Sequence, residues 1–168
     1  GKNQSSPILG QMVGSDPFTR EVDALRKNKR VKAVVLRVNS GGGSAVASEE
    51  IRHALARLAA RKPLVVSMSQ VAGSGGYWIS MSGHAVLARA TTLTGSIGVI
   101  NLVASIGAAL EKQGITHDTL RTHDHADALL AFRPLTEEEY AQLDHQVASI
   151  YEQFLGLVAE HRDLTRDE

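Results

Sequence analysis

Leu64-Val65-Val66-Ser67-Met68-Ser69-Gln70-Val71-Ala72-Gly73-Ser74-Gly75-Gly76-Tyr77-Trp78-Ile79-Ser80 reads as a buried strand, a sharp small-residue turn and the start of a short helix. Pro63 ends the preceding helix, the strand covers Leu64–Ser69, Ala72–Gly76 make the turn, and an apolar helix follows around Tyr77–Met81. Ser74 therefore stands at a strand-to-helix turn. Upstream, Ala33-Val34-Val35-Leu36-Arg37-Val38 is a second β-branched strand, and it runs into Asn39-Ser40-Gly41-Gly42-Gly43. Between the two strands lies a helix capped by Ser44, with Ile51, Leu55 and Leu58 at helical spacing. Strands and helices alternating at crossover length predict parallel pairing and right-handed βαβ units, which bring both glycine loops to one sheet edge. The fold class is α/β.

Outward from this centre, Asp16-Pro17 reads as an N-cap and first helical position for a helix over 18–28, so residues 1–15 are a linker or cut strand and 16–168 one domain. Downstream, the pattern predicts a short strand over 85–88, a turn over 91–95, an apolar segment over 96–100 and a helix over 101–113 closed by Gly114. A strand over 115–121 and a polar stretch over 122–127 follow. Thr136 and Glu139 form a capping box. It opens a long amphipathic helix over 136–160, with Leu143, Val147, Ile150, Phe154 and Val158 on one stripe.

Composition sets the outer limits. With 168 residues, 43% of them hydrophobic, the chain can bury a core. Lys+Arg 18 balance Asp+Glu 18, so no net field favours nucleic acid as a partner. The absence of cysteine removes a thiol nucleophile and a disulfide framework but leaves the compartment open. No apolar run is long enough to span a bilayer, and any anchor is expected outside this segment.

The glycine loops suggest chemistry. A serine hydroxyl attacks a carbonyl when a base takes its proton and fixed N–H groups receive the oxyanion. The start of the helix after Ser74 favours negative charge, and the Gly75 amide is the natural first donor. Taken alone, Ser74 would be a helix cap and Gly41–Gly43 an ordinary turn; the two loops together shift the reading to a nucleophile with its oxyanion hole. No phosphate-loop or dinucleotide glycine pattern is present, and position 72 is Ala, which departs from the nucleophile-elbow pattern. His123, Asp124, His125 and Asp127 lack the spacing of a ligand set and read as a solvated loop, so no metal or cofactor is expected. His84 lacks an obvious orienting carboxylate and ranks low as a base. Tyr77 and Trp78 read as core or pocket wall.

Three ordered segments, Val35–Ser44, Gly73–Ser80 and Leu93-Thr94-Gly95-Ser96-Ile97-Gly98-Val99, closely resemble the signal peptide peptidase A family, also called protease IV. The resemblance runs from about Val31 to Arg162 and implies the Clp-protease and crotonase-like spiral of ββα units with a long C-terminal amphipathic helix. It implies that Ser74 is the catalytic nucleophile, that the amides of Gly43 and Gly75 form the oxyanion hole, and that Ser96 positions a lysine base. Asp124 stands where short members carry that lysine, and Lys112 is the only lysine after Ser74. Gly41 replaces the proline of most members.

Long members hold two tandem copies, of which the carboxyl-terminal one carries the serine and the amino-terminal one the lysine. This chain resembles the former, as a piece of a longer protein. The expected activity is a Ser–Lys endopeptidase degrading remnant signal peptides, weak or inactive in this piece alone. Its expected partners are those peptides, an N-terminal copy and further copies in a homo-oligomer, membrane-associated on the extracytoplasmic, periplasmic side. A groove lined by Val46, Met68, Val71 and Ile100 is expected to suit apolar side chains. Alternatives are a non-catalytic scaffold copy and a crotonase-like acyl-thioester enzyme.

Overall fold

A computed structural model describes residues 2–6 and 10–165. Residues 1, 7–9 and 166–168, which belong to the expected linker and domain end, lie outside the described residues. The chain divides into two compact units, one of residues 1–98 and 152–168 and the other of residues 99–151.

The first unit opens with an antiparallel pair, β1 (Gln4–Ser6) and β2 (Gly10–Met12), where the sequence suggested a linker or cut strand. Helix α1 (Ser15–Lys27) starts earlier than Asp16-Pro17 predicts. Its N-cap is Gly14, whose amide donates to Asn3 Oδ1 at 2.7 Å. Asp16 and Pro17 thus fall in the first turn, where an acidic side chain and a missing N–H are both tolerated. Strand β3 (Val34–Ser40), helix α2 (Ala45–Ala59) and strand β4 (Leu64–Gly73) then form the βαβ unit, with β3 and β4 parallel.

Strand β4 continues past Ser69 because it changes partners. Val38 is opposite Met68 but Ser40 is opposite Ala72, so β4 carries a bulge, and Asn39 Oδ1 accepts from the Val71 amide at 3.3 Å within it. On its other edge β4 pairs in parallel first with β5 (Ala85–Leu87) and then, over 71–73, with β6 (Leu93–Gly95). Helix α3 (Gly75–Ser80) follows β4 directly. One face of the sheet is buried through Leu36, Val38, Leu64, Val66 and Met68, and Ile51, Ala54, Leu55 and Leu58 of α2 are buried as well. The alternate residues Val35 and Leu87 are exposed.

In the second unit the expected helix over 101–113 shrinks to α4 (Gly107–Glu111), preceded by an irregular segment in which Ile100 and Leu102 are exposed. Their apolar positions do not form a stripe, and the Ile106 amide is tied to Ala131 O at 2.7 Å. The strand expected over 115–121 is absent; no described strand lies alongside to supply a ladder.

Helix α5 (Glu137–Arg162) forms as expected, and its capping box is present: the Glu139 amide donates to Thr136 Oγ1 at 3.2 Å and the Thr136 amide to Glu139 Oε2 at 2.8 Å. Of the predicted stripe only Phe154 and Val158 are buried, both in the first unit.

Candidate active site

The carboxyl ends of β3, β4 and β6 each feed a loop, and the three loops meet around Ser74. The Ser74 amide donates to Gly95 O at 2.9 Å, joining the turn after β4 to the end of β6. A β-carbon placed on Gly73 would lie 3.5 Å from Ser96 Cβ, so Ser96 borders the same turn. From the other side, a β-carbon on Gly42 would fall 2.7 Å from Ser74 Cβ and 2.8 Å from the Gly75 amide. Only a residue without a side chain permits that approach.

The backbone bends sharply at Ser74, with φ 48° and ψ −119°. Positive φ is uncommon outside glycine. Although Ser74 occupies the N-cap position of α3, its hydroxyl does not cap the helix. The capping explanation therefore fails. Gly43 N would lie 3.3 Å from a β-carbon on Gly75, so two glycine backbones run side by side. Neither the Gly43 nor the Gly75 amide donates to a backbone carbonyl among the described residues. Two adjacent free N–H donors beside a hydroxyl can bind a carbonyl oxygen as it gains charge.

The sequence gives no role at the site to Ser48 or Asn39, and its helical spacing turns Glu49 outwards, whereas the structure ties it to Trp78. Ser48, buried on α2, donates to Ser44 O at 2.9 Å, and its Oγ blocks any β-carbon at Gly75. Glu49 accepts from the indole Nε1 of Trp78 at 2.6 Å and from Arg52 at 2.7 and 2.6 Å. The Arg52 bond holds the Glu49 carboxyl below its usual range. Trp78 stacks on Phe154 with centroids 4.6 Å apart, and Arg162 Nε donates to Tyr77 Oη at 3.1 Å. Tyr77 and Trp78 are buried, as expected of core residues. Spacing gives no signal for the Glu49–Trp78, Trp78–Phe154 and Arg162–Tyr77 links, because each joins residues on different elements.

His84 is at the wrong end of the sheet. Its Nδ1 accepts from the Leu64 amide at 3.1 Å, where β4 begins, whereas Ser74 follows the strand's last residue. Ten strand residues separate the ends by about 30 Å.

The residues expected to line a groove do not behave alike. Val46 is exposed on the first turn of α2 and Val71 is half-buried opposite Leu93. Met68 is only 5% exposed on the helix-covered face, with its sulfur accepting from Thr94 Oγ1, so strand alternation removes it from an open wall. Ile100 is exposed and belongs to the second unit.

The polar stretch over 122–127 is also more than a solvated loop. His123 and Asp124 are exposed, but Asp127 is buried and takes Arg133 at 2.7 and 3.0 Å. Arg133 also reaches Glu139 at 2.7 and 2.8 Å, and His125 Nδ1 lies 2.9 Å from Glu139 Oε1. Among the described residues no His, Asp or Glu group is arranged to hold a metal.

The sequence description of peptidase family S49 matches residues 56–168, two thirds of the chain. The chain belongs to peptidase family S49. Within the family's reach, it is 40% identical over 157 residues to Protease 4 of Salmonella typhi, covering 93% of this chain and 25% of that protein. It is 36% identical over 157 residues to Protease 4 of Haemophilus influenzae, with 93% and 25% covered. Identity to the chloroplastic serine protease SPPA of Arabidopsis thaliana is 33% over 160 residues, with 95% and 24% covered.

This S49 chain therefore spans about a quarter of the length of those relatives. A ClpP1 mutant from Listeria monocytogenes superposes with a TM-score of 0.51 at 10% identity, over 91% of this chain and 67% of that one. The S49 chain thus has the Clp-protease fold, in agreement with its parallel sheet and C-terminal helix.

Proposed function

We propose that this chain supplies the nucleophile and oxyanion hole of a serine endopeptidase of the Ser–Lys type, acting on peptides such as remnant signal peptides. The observation that carries the reading is the Ser74 turn: a strained serine without a capping role, packed against Gly42, beside the free amides of Gly43 and Gly75. Membership of a peptidase family supports it.

In this reading a neutral lysine takes the Ser74 proton, Ser74 Oγ attacks the peptide carbonyl, and the Gly43 and Gly75 amides hold the oxyanion. Nitrogen leaves with the proton, and water then hydrolyses the acyl-enzyme. Lysine is neutral near pH 7 only when burial depresses its pKa, by up to about 3–5 units. In this reading Ser96, which borders the turn, orients that lysine by a hydrogen bond. Within the first unit, His84 is remote from Ser74. On the same reading the base comes from another domain or copy, which fits a longer, oligomeric protein on the extracytoplasmic side of a membrane. Among the described residues no helix is long and apolar enough to cross one.

Fluorophosphonate labelling of Ser74, read by mass spectrometry, tests the assignment on this chain and on its full-length parent. Labelling of the parent alone, abolished by Ser74→Ala, is the expected result. Labelling of both would place the base within this chain, and labelling of neither would make the domain a scaffold.

A further inference from the structure

Helix α3 has only six residues, too short to hold its own geometry, yet its first turn fixes both Ser74 and the Gly75 amide. Something outside it must do so. The Trp78 amide donates to Ser74 O at 2.8 Å, so the backbone of Ser74 is tied directly to Trp78. The Trp78 ring is 4% exposed and lies against Phe154, and its single N–H points at Glu49 Oε2. Glu49 is in turn held on α2 by Arg52 through both carboxylate oxygens, with His53 Nε2 3.1 Å from Oε1. Ser82 Oγ donates to Arg52 O at 3.2 Å, fastening the far end of α3 to the same helix.

Helix α2 begins one residue after Ser44, directly behind the Gly41–Gly43 loop. The Glu49–Trp78 bond thus links the helix that follows the loop of one proposed oxyanion donor, Gly43, to the helix that begins with the other, Gly75. We infer that Glu49 is a positioning residue: through the Trp78 indole it holds the Ser74 turn and the Gly75 amide in register with the Gly43 amide. The inference rests on the peptidase reading for its kinetic consequence but not for its structural one.

Three variants of the full-length parent separate the possibilities. Glu49→Ala removes the acceptor; Glu49→Gln keeps an acceptor for the indole but loses the charge facing Arg52; Trp78→Phe keeps the stacked ring and loses the N–H. Hydrogen exchange by mass spectrometry, with circular dichroism as the control for folding, is expected to show faster exchange over 74–78 in Glu49→Ala and Trp78→Phe. Exchange over the β3–β4 ladder is expected to stay as in the wild type, and Glu49→Gln to stay close to it throughout. Unchanged exchange over 74–78 in Glu49→Ala would overturn the inference. Equal defects in the Gln and Ala variants would also do so, by showing that the Glu49 charge facing Arg52, and not the bond to the indole, is what matters.

Fluorophosphonate kinetics supply the second readout. The limiting rate constant for labelling is expected to fall about tenfold in Glu49→Ala, with the half-saturating concentration unchanged, because misplacing a reacting group costs rate rather than encounter. The Glu49→Ala and Trp78→Phe losses should not add in the double variant. Additive losses would overturn the link. Failure of the wild-type parent to label at all would overturn the peptidase reading instead, while the exchange result still decides the role of Glu49.

Discussion

Ser74 is held where a side chain is least comfortable. A non-glycine residue at a sparsely populated φ/ψ costs on the order of 1–3 kcal/mol, a cost that the surrounding loops must offset. Ser74→Gly is therefore expected to raise the unfolding midpoint while abolishing fluorophosphonate labelling, and Ser74→Ala to abolish labelling without the gain; chemical denaturation of both checks this. Gly75 is constrained from outside, since a methyl there meets Ser48 Oγ and the Gly43 amide. Gly75→Ala should cost about 1–3 kcal/mol through overpacking, and adding Ser48→Ala should return part of it by removing the nearer obstacle. No recovery would show that the crowding is not at Ser48, and full recovery that the Gly43 amide adds nothing to it. Gly75 was named from its place beside Ser74, but its crowding by Ser48 was invisible in the chain, because helix α2 brings the hydroxyl in from 27 positions away.

Elements position the site by exchanging partners along β4. One edge pairs with β3 on both sides of the bulge between Met68 and Ala72, while the other pairs first with β5 and then, over 71–73, with β6. Helix α3 then depends on neighbours rather than on its own length. Phe154 of α5 is 1% exposed against Trp78, so Phe154→Ala should destabilise the first unit by about 3–5 kcal/mol in urea unfolding. At the other end of α5, Thr136→Ala removes the hydroxyl that accepts from the Glu139 amide and should cost about 0.5–2 kcal/mol. Residue periodicity announced α2 and β4 because each buries a regular stripe or alternation, and the capping box announced α5, of whose stripe only Phe154 and Val158 are buried. It overstated the helix before Gly114 and the strand after it, where apolar residues occur without a partner surface in register.

At the scale of the whole molecule, the two units differ in what holds them. The first is an apolar α/β core; the second carries a cluster of ionised side chains around Arg133. The Arg133 guanidinium lowers Asp127 from 3.8 to about 2 and holds Glu139 well below its ordinary 4.5. A carboxyl depressed in the folded state stabilises above its unfolded pKa, and that contribution is lost as pH falls through the folded value. Its hydrogen bond to Glu139 raises His125 above 6.5, which has the opposite sign: the contribution is present below 6.5 and lost as pH rises through the folded pKa. Protection against hydrogen exchange over 99–151, corrected for the intrinsic pH dependence of exchange, should therefore be greatest between the carboxyl and imidazole transitions and fall on both sides. His125→Gln should abolish the alkaline change and leave the acid one, and an unchanged alkaline limb would refute the role of His125.

The sequence alone determined the α/β class, the two strand-and-glycine loops, the long capped helix and the family, because hydrophobic period, turn residues and short motifs are local properties of the chain. Tertiary structure decided which groups stand next to Ser74. Gly42 against Ser74, Ser96 against Gly73, Ser48 against Gly75 and Glu49 on the Trp78 indole all join residues from different elements. Their meeting depends on strand register, on the bulge in β4 and on the packing of α2 over the sheet. The same holds for Asp127 and His125, which look like surface residues in a polar run until Arg133 and Glu139 are folded against them. Local pattern specifies elements; close packing of the folded chain specifies which polar atoms are left facing each other.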